Sequence, residues 1–70
     1  MKLYQKRVVA EKAELDAKRK KLAAFLDGEI YETEISALEL WRLNRQFNAM
    51  TLYSDILGER IDAFGSNIKV

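Results

Sequence analysis

The sequence has no cysteine, no histidine and no proline, and only three glycines and one tryptophan in 70 residues. The first two absences exclude disulfides, thiolate chemistry and the usual zinc and haem ligands. Without proline and with so little glycine, the chain suits long helices with few interruptions. No apolar run is long enough to span a membrane or to form the core of a signal peptide, so the expectation is a soluble cytosolic chain with no membrane partner. Neither sign of charge prevails: 12 Lys and Arg against 11 Asp and Glu leave a net charge of +1, a weak field for recruiting a nucleic-acid polymer. Catalytic parts are also missing. There is no Gly-rich phosphate loop, and Glu11, Glu14 and Asp16 have basic neighbours that keep them ionised and unsuited to acid work, so an enzyme is not expected and no cofactor is implied.

What the sequence does have is helical periodicity. Leu40, Leu43, Phe47, Met50, Ser54, Leu57, Ile61 and Phe64 follow one another at alternating spacings of three and four, the seam of a coiled-coil-like helix. All but Ser54 are apolar. Ser36 with Glu39 three residues on reads as a capping box, and Gly65 reads as a left-handed stop, so this helix is expected over about 36–64, roughly 42 Å. Trp41, Ala49, Leu52, Tyr53 and Ile56 form a second apolar row beside the seam. A face this wide needs at least two neighbours.

The first helix is expected over about 2–26, closed by Asp27-Gly28. Val8, Leu15 and Leu22 recur every seven residues, with Val9, Ala13, Phe25 and Leu26 widening the apolar face. Pairs such as Glu14 with Lys18 are placed to support it at i, i+4. The loop over about 27–35 holds Ile30 and Tyr31, which suggests a short turn packed on the hairpin. A short mobile tail, 65–70, ends the chain. The fold class is therefore all-α: one domain, 1–70, a hairpin of a long N-terminal and a longer C-terminal helix. With disulfide and metal excluded, a chain of this size is expected to complete its core as a homo-oligomer.

Tyr4, Arg7, Glu11, Glu14, Lys18 and Lys21 share one stripe of the first helix. The plainest account is a solvated face with salt bridges. The sharper one is an anion site, with Arg7 and Lys18 on phosphates and Tyr4 stacked on a base. Tyr4 and Lys18 stand roughly 21 Å apart on a straight helix, too far for one chain to close around a small nucleotide. Two chains running head to tail about a two-fold axis bring Tyr4 of one toward Lys18 of the other. The basic run Lys18 to Lys21 rings the helix and builds no single face for a polymer. Trp41 and Tyr53 could stack a base but read first as interface anchors.

The run Tyr4-x-x-Arg7-Val8-Val9-x-Glu11-Lys12-x-Glu14-Leu15-Asp16-x-Lys18, with Leu22 and Phe25, resembles the start of the small phage proteins that include the anti-CBASS type 2 cyclic-oligonucleotide sponges. Arg45-Gln46-x-x-x-Met50-x-x-Tyr53-x-x-Ile56-Leu57-x-x-Arg60-Ile61 is similar to their second segment. The resemblance implies a helical homohexamer in the host bacterial cytoplasm. It would capture cyclic di- and trinucleotide messengers of a bacterial immune cyclase without cleaving them. Its dinucleotide pocket would use Tyr4 with either Lys18 or Arg19, between paired N-terminal helices. The family's trinucleotide pocket uses an arginine and a threonine four residues later; here Arg45 is followed at that spacing by Ala49, with Thr51 two places off. The other function class open to this sequence is a helical scaffold or protein inhibitor whose long helix takes a partner helix on its apolar face.

Overall fold

The computed structural model of the protein describes residues 1–65; the expected tail beyond Gly65 lies outside them. Helix α1 spans Leu3–Asp27, a 3-10 turn spans Glu29–Glu32, and helix α2 spans Ala37–Phe64. No strand occurs among the described residues. The helices are antiparallel: Tyr4 meets Phe64, Lys12 and Asp16 meet Ser54, and Arg19 meets Thr51. The result is an all-α hairpin, 51 × 20 × 15 Å, one layer of two helices.

Local chemistry accounts for the boundaries. The Ser36 hydroxyl accepts the Glu39 backbone N–H at 3.0 Å, satisfying one of the free donors that open α2. At the other end of the link, the Gly28 N–H donates to the Ala24 and Phe25 carbonyls and closes α1. Neither Gly28 nor Gly65 takes the left-handed conformation expected of a helix stop. Gly28 lies at φ −141°, ψ −69°, and Gly65 at φ −90°, ψ 0°, still in the right-handed region. The 3-10 turn supplies the stop after α1 instead. Tyr31 N–H bonds the Gly28 carbonyl, and the Thr33 hydroxyl bonds the Glu29 carbonyl. Within that turn Ile30 is buried, while Tyr31 is 84% exposed. Successive residues of a 3-10 turn point about 120° apart, so the two cannot share the inward side.

The seam forms the contact between the helices. Leu57 is fully buried, Ser54 is 3% exposed, and Leu43, Phe47, Met50, Ile61 and Phe64 are half-buried, while Leu40, expected to open the seam, is exposed. From α1, Val8 is buried and Leu15, Leu22, Phe25 and Leu26 are half-buried; Val9 and Ala13, expected to widen that face, are exposed. The second row of α2 is uncovered: Trp41 is 55% and Leu52 62% exposed, and Ala49, Tyr53 and Ile56 are exposed too. One layer has an inside only along its seam. The apolar surface beyond it is what a second copy or a partner helix would cover.

Candidate ligand-binding surface

Every residue of the polar stripe, Tyr4, Arg7, Glu11, Glu14, Lys18 and Lys21, is exposed. The expected Glu14–Lys18 pair is not formed. Among the described residues the ion pairs are Lys12–Asp16 at 2.9 Å and Arg42–Glu39 at 3.9 Å. Arg7 and Lys18 are thus in no ion pair there.

At the open end of the hairpin, the Tyr4 and Phe64 rings meet edge to face, with centroids 5.7 Å apart and planes at 84°. Aromatic quadrupoles favour such edge-to-face contact, and Tyr4 is 52% exposed. A groove of about 480 Å³ opens beside it, lined by Tyr4, Gln5, Arg60, Ala63 and Phe64. The Gln5 side-chain oxygen accepts the Lys2 backbone N–H at 2.9 Å, which ties the start of α1 to this groove.

A second groove, of about 410 Å³, lies toward the loop end of α1, lined by Asp16, Arg19, Lys20, Ala23 and Phe47. Arg19 is held in it. Its guanidinium lies 5.8 Å from the Phe47 ring centroid and donates to the Thr51 hydroxyl at 3.2 Å. Thr51 in turn donates to the Phe47 carbonyl. Lys18, one position earlier, projects into solvent. An arginine carries five N–H donors, so one bond to Thr51 leaves most of its fork for an anion.

Arg45 and Ala49 lie on an exposed part of α2, and the Arg45 guanidinium stacks 4.6 Å from the Trp41 ring. Thr51 is committed to Arg19 and the hairpin, so it is not the partner of Arg45. The structure therefore brings Tyr4 together with Gln5, Arg60 and Phe64, and Arg19 together with Lys20 and Phe47. Within one chain it joins neither Tyr4 to Lys18 or Arg19 nor Arg45 to any of them. Arg60, Phe64 and Phe47 reach the grooves from α2 and lie off the α1 stripe, so they are not among the residues its spacing singles out. The visible signal for Phe47 and Phe64 was their seam position.

A compact polar cluster borders the second groove on the side toward Tyr4 and shares Asp16 with it. The Ser54 hydroxyl donates to one Asp16 carboxylate oxygen; Lys12 Nζ donates to the other at 2.9 Å and to Ser54 Oγ at 2.8 Å. The Ser54 bond and the Lys12 bond hold the Asp16 carboxyl below the usual carboxylate range, with the Arg19 charge adding to both. No group of three or more His, Cys, Asp or Glu able to hold a metal ion occurs among the described residues. No helix among them is long and apolar enough to cross a membrane.

The class these features define is an all-α two-helix hairpin with a pair of open, aromatic-and-cation half-grooves. Residues 2–63 match the Sequestin family, and the chain belongs to it. Sequestins are anti-CBASS cyclic-oligonucleotide sponges, a binding family and not an enzyme family. No curated protein and no solved structure matches the chain.

Proposed function

We propose that this chain sequesters cyclic di- and trinucleotide messengers at the interfaces of a homo-oligomer, a hexamer by the family resemblance, and so blocks CBASS signalling in the host bacterial cytoplasm as a phage protein. The observation that carries this reading is the placement of the two half-grooves at opposite ends of α1, each open and each incomplete. In two copies paired head to tail about a two-fold axis, the Tyr4 groove of one faces the Arg19 groove of the other, and this happens twice. A ligand with two bases and two phosphates fits that symmetry. Tyr4, braced by Phe64, stacks a base; Arg19 takes a phosphate, with Arg7 and Lys18 adding charge. Arg19 is the better phosphate contact because Phe47 and Thr51 already fix it, whereas Lys18 must be ordered on binding. Arg45 and Ala49 are the candidates for a trinucleotide site.

The mechanism is stoichiometric. Each captured messenger is withdrawn from solution, and the effector it would switch on stays idle. Calorimetric titration with a cyclic dinucleotide and a cyclic trinucleotide, alongside light scattering, tests the reading. One dinucleotide per two chains is expected, and Tyr4→Ala should abolish that heat while the assembly keeps its mass. Arg19→Ala should weaken binding at least tenfold, and more than Lys18→Ala does. A well-formed oligomer that takes up neither ligand would leave the scaffold reading, which the exposed row Trp41, Leu52 and Ile56 favours.

A further inference from the structure

Ser54 is the one polar residue on the α2 seam, and it is buried. Its hydroxyl is bracketed by two α1 side chains one turn apart, Lys12 and Asp16, in a closed ring of three hydrogen bonds. Among the described residues no buried side-chain polar atom lacks a partner. An apolar seam with a repeat of three and four tolerates sliding, because each apolar residue resembles the next. This ring does not. A slip of one turn, about 5.4 Å, would set Met50 or Leu57 against the Asp16 carboxylate and leave the Ser54 hydroxyl in apolar surroundings.

Both half-grooves depend on that register, since each takes residues from both helices. Tyr4 rests on Phe64, and Arg19 on Phe47 and Thr51. A slip of one turn, acting across the 5.7 Å Tyr4–Phe64 spacing, stretches it to about 8 Å and breaks the ring contact. The cluster borders the Arg19 groove, which Asp16 helps to line, and lies on its Tyr4 side along the hairpin, so it can fix both at once.

We infer that Lys12, Asp16 and Ser54 are positioning residues, a register lock that holds the two halves of the ligand site in place. A single buried polar residue fixing the alignment of packed helices is a recognised use of such groups. The consequence for ligand binding rests on the sponge reading; the lock itself does not.

The test compares the full chain with an apolar variant, Lys12→Met with Asp16→Leu and Ser54→Ala. Spin labels placed through Ala17→Cys and Asp62→Cys in an otherwise cysteine-free chain report the register, with labelled chains diluted into unlabelled ones. The unaltered cluster should give one narrow distance. The apolar variant should stay helical and melt no lower. It should show a broadened or second distance, about 5 Å away, and a dinucleotide affinity at least tenfold lower. Ser54→Thr with Lys12 and Asp16 kept, which retains the hydroxyl and both its partners, should give the parent's single distance. If the apolar variant does not fold, Ser54→Ala alone is read in the same way. A variant lacking the hydroxyl that keeps the parent's single distance overturns the inference. A parent with one distance but no heat on titration would sink the sponge reading and leave the lock standing.

Discussion

The ionisation of Asp16 is tied to the folded state. Bonds from Ser54 and Lys12 stabilise its charged form, so its acidity is raised in the folded chain. A group of this kind contributes stability that is present above its unfolded value, near pH 4, and is lost as pH falls through the lower folded value. The groups facing it are Lys12 and Arg19 from α1 and Ser54 from α2. Urea denaturation should therefore show constant stability above about pH 5 and a decline below pH 4 that Asp16→Asn reduces. Gly58 offers a change in the other direction. A methyl there would meet Lys12 Cε at 3.5 Å, ordinary contact, and the position is inside α2. Gly58→Ala should stabilise the chain by about 1 kcal/mol in the same assay.

At the scale of elements, the link between the helices behaves as part of the core. Ile30 is its anchor, and Ile30→Ala should cost about 2–4 kcal/mol by denaturation midpoint, against roughly 0.5 kcal/mol or less for Tyr31→Ser. Removing the α2 cap with Ser36→Ala should cost about 1 kcal/mol. The hairpin was legible because spacings of three and four are a property of one helix, readable from the chain alone. The same spacing singled out Ser54 as polar. What it did not disclose was the partner, because Lys12 and Asp16 look like any surface pair until α2 lies against them. Gly28 and Gly65 do stand at the helix ends, but without the left-handed backbone expected of them; after α1 a 3-10 turn follows instead, and residue type does not distinguish the two.

At the scale of the whole molecule, a single layer buries Val8, Ile30, Ser54 and Leu57 and leaves a row of large apolar side chains open. Stability of such a chain should be bound up with its concentration: the melting temperature should rise on raising protein concentration, and Leu52→Glu should lower both the mass by light scattering and the helical signal. The candidate site shows the same limit on what a sequence displays. Tyr4 and the cations of α1 could be picked out by stripe and charge, but Arg60, Phe64 and Phe47 join them only through the antiparallel register. The pairing of one chain's groove with another's is a property of no single chain.

The stack of Arg45 on Trp41 has a practical outcome. The chain holds one tryptophan, and that indole lies on the uncovered row of α2 with a cation 4.6 Å from its ring. Its emission colour is then an intrinsic gauge of whether that row is wet or covered, readable by dilution alone and without any label.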